Sequence, residues 1–169
     1  MAHIREGIEG DLPRVLELVK ELATYERALG EVSNTVQAMK EDGFGRNPIF
    51  GFFVAEVDQE VVGVSLYYYR YSTWKGRRLY LEDIVVTEKR RGQGIGKLLF
   101  ERTLDHSLKE KCTGMMWQVL EWNEPAINFY KKYNAKMDGE WVNCSLEADE
   151  IRQIRSNGHL LGWFLDDSL

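Results

Sequence analysis

Hydrophobic and polar positions alternate along this chain with two periods, and the switches between them mark the elements. A short strand is expected around His3 to Gly7. Asp11 is placed to cap a helix whose apolar positions Leu12, Val15, Leu16, Val19, Leu22 and Ala23 keep helical spacing. A second, short helix is expected from Thr35 to just before Gly43-Phe-Gly45. The period then falls to two. Phe50 to Val57 reads as a strand, Asp58-Gln-Glu60 as a turn and Val61 to Tyr71 as the hairpin partner. Ser72 to Arg77 reads as a loop and Leu79 to Val86 as the next strand, followed by an amphipathic helix from Ile95 to about Leu108. Gly114 to Leu120 predicts a strand. Asn123 is a cap for a helix with Pro125 in its first turn, where a missing N–H costs little, and Asn134 is a left-handed stop. Glu140 to Glu147 predicts a last strand, and Asp149 to about Arg155 a helix ended by Asn157-Gly158. Hairpins come first and two β-α units follow. The fold class expected is therefore α/β, with a mixed central β-sheet flanked by helices on both faces.

Between the strand ending at Val86 and the helix starting at Ile95 stands Arg91-Gly92-Gln93-Gly94-Ile95-Gly96. A glycine-rich turn in that place lets backbone N–H groups close on a phosphate, and the helix N-terminus adds about half a positive charge. Such turns lie at the C-terminal ends of strands, where α/β sheets bind ligands. Two better-known cradles fit poorly. Counting Gly-x-Gly-x-x-Gly from Gly92 puts Lys97 where the third glycine belongs, and a P-loop reading meets Arg91 in place of its first glycine and Leu98 in place of Ser or Thr. The spacing that fits is Arg-x-x-Gly-x-Gly, at Arg91, Gly94 and Gly96. Alone, it is also compatible with an ordinary strand-to-helix turn.

Composition narrows the class. A length of 169 residues suits one domain with a full core. The N-terminus has no apolar signal core and no segment is long and apolar enough to span a bilayer, so no membrane role is expected. Cys112 and Cys144 form neither a close pair nor a metal-type cluster, and His3, His106 and His159 are scattered; no metal is expected, and the reducing cytoplasm is the simplest compartment. A net charge of −5 argues against a nucleic-acid partner and fits a cationic substrate, although mild acidity also serves solubility.

With the element order added, residues 3 to 147 resemble the GNAT N-acetyltransferase superfamily. Five strings look like its diamine acetyltransferase group, which includes spermidine/spermine and thialysine N-acetyltransferases: Lys20-Glu-Leu-Ala-Thr-Tyr-Glu26, Glu41-Asp-Gly-Phe-Gly45, Tyr71-Ser-Thr-Trp-Lys-Gly-Arg77, Leu79-Tyr-Leu-Glu-Asp83 and Glu121-Trp-Asn-Glu-Pro-Ala-Ile-Asn-Phe-Tyr130. The resemblance implies a single acetyltransferase domain over 1–147, with 148–169 as an extension packing on it or on a partner subunit. It implies acetyl-CoA as the donor, with the pyrophosphate on Arg91, Gly92, Gln93, Gly94, Ile95, Gly96 and Lys97. The pantetheine is expected beside Ile84, Val85 and Val86, with Asn123 and Tyr130 at the thioester end. Ala126 stands where the group often has Ser, so one cofactor hydrogen bond is in doubt.

The chemistry requires a proton acceptor and a proton donor. An alkylammonium has a pKa near ~10.4, so removing its proton at pH 7 costs roughly 4–5 kcal/mol, and only the neutral amine attacks a thioester. The resemblance makes Glu82 the base, through a water, and Tyr130 the acid that meets the leaving thiolate. On residue type alone, Glu82-Asp83 also reads as a solvated pair at a strand end, and Tyr130 as a core tyrosine. Tyr25, Glu26, Trp74, Glu82, Asp83 and Trp141 are expected to line the acceptor site, since rings and carboxylates suit an elongated cation. Ser72 replaces the Asp typical of polyamine-selective members, which makes a short diamine or a lysine-like amine as good a candidate as a polyamine. The alternatives are an acyl-CoA sensor without turnover and an acetyltransferase for protein or peptide amines. The resemblance also implies a homodimer. Leu160, Leu161, Trp163, Phe164 and Leu165 form an apolar cluster that must dock on its own domain or on a second copy.

Overall fold

A computed structural model describes residues 1–156; the apolar cluster at 160–165 lies outside the described residues. The chain divides into two compact units, 1–120 and 121–169.

The first unit is a five-stranded sheet in the order β1 (His3–Glu6), β2 (Gly51–Val57), β3 (Glu60–Ser72), β4 (Gly76–Val86) and β5 (Met115–Met116). The first three pairings are antiparallel and the β4–β5 pairing is parallel, so the sheet is mixed. Between β1 and β2 run helices α1 (Leu12–Tyr25) and α2 (Val36–Phe44); between β4 and β5 runs α3 (Ile95–Lys109). Strand alternation splits the core in two. Phe52, Val54, Val64 and Val85 pack with Leu12, Val15, Leu16 and Leu18 of α1 and Met39 of α2. Phe53, Ala55, Val57, Val62 and Leu79 pack with Ile95 and Leu99 of α3. Helices thus cover both faces, as the pattern predicts. On α1 the apolar stripe is set slightly differently from the sequence reading: Leu18 is fully buried and Val19 only half-buried.

Local signals explain most boundaries. Asp58 and Gln59 both hold positive φ, 52° and 67°, the geometry of a two-residue turn whose twist matches the strands it joins. Thr35 Oγ1 accepts from the Ala38 N–H at 3.1 Å and starts α2. Arg5 on β1 donates to both carboxylate oxygens of Asp11, at 2.7 and 2.9 Å, and to Glu56 on β2 at 3.0 Å; the same Asp11 accepts from the Ile8 N–H. This knot sets the path from β1 into α1. Within the α3-side core, Thr103 donates to Ser65 at 3.0 Å, which satisfies a buried polar pair.

The second unit carries α4 (Glu124–Lys131) and α5 (Ala148–Ser156). Asn123 Oδ1 accepts from the Ala126 N–H at 3.3 Å, so its capping role is realised, and Asn134 takes the left-handed stop at φ 55°.

Two strand expectations are corrected. The strand read over 114–120 reduces to Met115–Met116, and none forms over 140–147 among the described residues. A strand exists only where a neighbour accepts its hydrogen bonds. The β4–β5 ladder ends at Tyr80↔Met116, and β4 bulges two residues later. Along 140–147 Trp141, Val142 and Leu146 are all largely exposed, so no ladder gives the alternation a covered face.

Candidate active site

Three features of the first unit converge on β4. One is the bulge. Leu66 pairs with Asp83 while Tyr67 pairs with Leu81, so Glu82 is the extra residue of the antiparallel ladder. A bulge bends its strand and re-aims side chains. Here it breaks the strict alternation at Glu82 and Asp83. The bend also accounts for the early end of the β5 ladder. From Leu81 to Val86, no strand among the described residues pairs with β4 on the β5 side. Backbone N–H and C=O groups along that edge need partners from outside the sheet. Ile84, Val85 and Val86 lie on this stretch, with Val85 in the α1-side core and Ile84 and Val86 packed against the α3-side core.

The glycine turn follows. Gly92 and Gly94 hold φ of 73° and 79°, and a Cβ on either would meet nothing within 4 Å. Glycine is needed there for backbone conformation, not for space inside the protein. Gly94 is the N-cap of α3 and supplies no side-chain bond to the helix start. The first N–H groups of α3, at Ile95, Gly96 and Lys97, therefore have no acceptor within the helix. A Cβ on Gly96 would lie 3.9 Å from Val86 Cγ2, an ordinary contact. The Arg91 side chain turns back: its Nε donates to the Val86 carbonyl at 3.0 Å and its guanidinium sits 5.4 Å from the Tyr25 ring centre. Lys97 is exposed and 3.8 Å from Glu101. Open N–H groups, two nearby cations and an unpaired strand edge suit a diphosphate with an amide-bearing arm.

The third feature is a cluster of carboxylates. Asp83 is partly buried and its carboxyl is pushed up to about 6, by burial first and then by the like charges of Glu82 and Glu26. Burial also raises Glu26, at the end of α1. Glu82 is exposed, and its charge helps burial raise the hydroxyls of Tyr68 and Tyr80. Those two rings lie 5.1 Å apart on neighbouring strands. Glu26, Glu82 and Asp83 thus share a neighbourhood walled by Tyr68 and Tyr80. The two tyrosines and Arg70 beside them were not among the sequence-predicted residues. Their alternation in the run Tyr67-Tyr-Tyr-Arg-Tyr71 was the available signal, but it could not say which face meets Glu82.

The other predicted residues are placed as follows. Tyr25 stands beside Arg91. Trp74 lies at the tip of the β3–β4 hairpin and is 85% exposed. The strand from Gly76 to Glu82 covers about 20 Å, so within one chain Trp74 is not brought to Glu82. Ser72 serves that hairpin: its Oγ accepts from the N–H groups of Trp74 and Lys75 at 3.3 and 3.2 Å. Asn123, Tyr130 and Trp141 belong to the second unit, where Tyr130 is buried and Trp141 is 77% exposed. Among the described residues no group of His, Cys, Asp and Glu is arranged to hold a metal ion, and no helix is long and apolar enough to cross a membrane.

Residues 14–135 match the profile of the Acetyltransferase (GNAT) family, across the division between the two units. The chain belongs to that family and is an acetyltransferase. It is 38% identical over 162 residues to the thialysine N-epsilon-acetyltransferase of Sus scrofa, covering 89% of this chain and 95% of that one. It is 37% identical over 139 residues to the human spermidine/spermine N(1)-acetyltransferase-like protein 1, covering 78% of this chain but 20% of that much longer one. A crystal structure of an aminoglycoside acetyltransferase from an uncultured soil metagenomic sample superposes with a TM-score of 0.73 at 19% identity, over 86% of this chain and 97% of that one, which shows the shared fold.

Proposed function

We propose that this enzyme moves the acetyl group of acetyl-CoA to a primary amine of a small cationic acceptor, by direct attack in a ternary complex. GNAT acetyltransferases in general use acetyl-CoA. When bound, it supplies an activated thioester and a thiol leaving group. The α3 N–H groups with Arg91 and Lys97 would bind its pyrophosphate. The free edge at Ile84, Val85 and Val86 would take the amides of its arm, and Asn123 would line the thioester end. The single observation that carries the acceptor reading is the bulge at Glu82, which sets Glu82 next to Asp83 on β4 with Glu26 near enough for its charge to raise the Asp83 carboxyl. Concentrated negative charge attracts an ammonium, and the exposed Glu82 carboxylate can accept its proton through a water. Tyr130 is the proposed donor to the departing thiolate. The thialysine and spermidine/spermine names of the relatives support a small amine over a protein tail, and enzymatic relatives over most of the chain support turnover over a silent sensor.

We read residues 1–147 as one acetyltransferase domain, in keeping with the family match across both units. The active form is read as a homodimer, in which Trp74 and Trp141 serve a site across the interface. Free thiols at Cys112 and Cys144 fit a cytoplasmic setting. The test is an acetylation screen with acetyl-CoA over diamines, polyamines, lysine analogues and amino-terminal peptides. Turnover confined to small amines is expected. Preference for peptides, or tight CoA binding with no turnover of any amine, would overturn the reading.

A further inference from the structure

One side chain joins the glycine turn to the carboxylate cluster. Arg91 opens the turn, and its Nε donates at 3.0 Å to the carbonyl of Val86, the last residue of β4. Its guanidinium carbon lies over the Tyr25 ring, 5.4 Å from the ring centre, a distance at which a cation and an aromatic face attract. Tyr25 is the last residue of α1, and Glu26 caps that helix. The helix end is closed on itself. The N–H groups of Glu26, Arg27 and Ala28 donate back to Leu22, Thr24 and Ala23 at 2.9, 3.1 and 2.8 Å. Arg27 takes the left-handed φ of 62° that such a stop requires, although it carries a side chain. A conformation of that kind persists only where its surroundings hold it. Tyr25 and Glu26 are therefore carried as one piece, and a shift of the ring shifts the carboxylate. Glu26 is in turn close enough for its charge to be felt at Asp83. Within the first unit, contacts thus run from the glycine turn through Arg91 and Tyr25 to Glu26 and β4.

We propose that Arg91 couples the two halves of the site: a diphosphate on the glycine turn fixes its guanidinium over Tyr25, and that contact sets the end of α1, with Glu26, for the acceptor amine. Arg91 is then a donor-binding residue and, through Tyr25, a positioning residue for the acceptor. This rests on the donor and acceptor reading given above and adds the path between them. Arg91 is exposed. A long side chain held by one carbonyl and one ring keeps much of its rotamer freedom, and an anion removes the rest. A guanidinium binds phosphate oxygens through paired N–H bonds, so Nε can keep Val86 while the Nη groups take the diphosphate. The ordering is then already complete when the amine arrives. The amine binds more tightly for that reason, and by linkage it tightens the donor by the same factor. The Tyr25 ring, and not its hydroxyl, carries the effect.

Hydrogen exchange and calorimetry on the full-length protein test this, with CoA as the probe because it carries the diphosphate and no acetyl group to transfer. Saturating CoA should slow exchange of the Glu26, Arg27 and Ala28 amides by about fivefold or more. Tyr25→Phe keeps a ring under Arg91 and should keep that protection. Tyr25→Leu should lose most of it and weaken CoA about 2- to 5-fold. Arg91→Met should weaken CoA roughly 10- to 100-fold and give no protection even when saturated. CoA should also tighten lysine or 1,4-diaminobutane about five- to tenfold in the wild type, and that factor should fall toward one in Tyr25→Leu and Arg91→Met. Protection that survives Tyr25→Leu, or a Tyr25→Phe chain that behaves like Tyr25→Leu, would overturn the coupling while leaving the donor and acceptor sites in place. CoA affinity unchanged by Arg91→Met would instead remove the cradle on which the coupling rests. Failure of either amine to bind in the presence of CoA would remove the acceptor reading.

Discussion

Asp83 sits where burial and the charges of Glu82 and Glu26 both penalise an ionised carboxylate. Its folded value of about 6 lies above the ordinary value of 3.8. Between those two values the folded chain binds more protons than the unfolded chain, so stability falls as pH rises through that window. Asp83→Asn should therefore raise the thermal midpoint at pH 7–8 and change it little near pH 4. An equal shift at both values would mean that the carboxylate costs nothing when charged. Activity should run the opposite way. The ionised form attracts the acceptor, so kcat/KM for the amine should fall as pH drops below about 6, and Asp83→Asn should abolish that inflection. An inflection that survives the substitution belongs to another group. The two catalytic assignments predict different losses. Tyr130→Phe should lower kcat on the order of 10²-fold with CoA binding nearly intact, and Glu82→Gln should do so with the loss concentrated at neutral and lower pH. Unchanged kcat in either variant, measured by thiol release, would remove that residue from the chemistry.

At the scale of elements, the features legible in the sequence are those written within a few residues. The Asp58-Gln59 turn, the Thr35 and Asn123 caps, the Asn134 stop and the Gly92 and Gly94 turn each follow from local backbone preference. The bulge at Glu82, the two-residue length of β5 and the uncovered segment 140–147 do not, because each is decided by a ladder with a distant strand. The same limit hid Tyr68, Tyr80 and Arg70, whose relation to Glu82 exists only after β3 and β4 pair. Gly96→Val leaves room at the Cβ inside the protein. It should keep cooperative unfolding and weaken acetyl-CoA binding by calorimetry; unaltered affinity would place the cradle elsewhere. At the β1–α1 junction, Arg5 holds the Asp11 carboxyl below its usual range, with the Ile8 N–H assisting. That stabilisation is present above the ordinary Asp value and is lost as pH falls through the lowered one. Asp11→Ala should cost about 2–3 kcal/mol in urea unfolding at pH 7 and much less in acid. A loss independent of pH would assign the effect to helix capping or packing instead of the ion pair.

For the whole molecule the open question is what covers the C-terminal apolar residues. In a single chain Trp141, Val142 and Leu146 are 77, 85 and 58% exposed, and Ile151 on α5 is 47% exposed. The sequence adds Leu160, Leu161, Trp163, Phe164 and Leu165 beyond the described residues. Apolar residues in that number are rarely all left in water by a monomer, and two-fold dimers are the commonest soluble assemblies. The acceptor role proposed for Trp74 asks for the same arrangement. Trp74 stands at a hairpin tip about 20 Å along β4 from Glu82, so it can serve an acceptor site only if that site is on another copy. We therefore expect the full-length protein to be a homodimer at micromolar concentration by light scattering. Truncation after Glu147 should weaken the dimer and expose apolar surface. A mixed dimer made from a Trp74→Ala chain and a Glu82→Gln chain should keep one working site if Trp74 acts across the interface, and none if it acts within its own chain. A monomeric full-length protein would refute the dimer. A truncated chain that dimerises with full activity would leave the dimer standing and remove the tail from it.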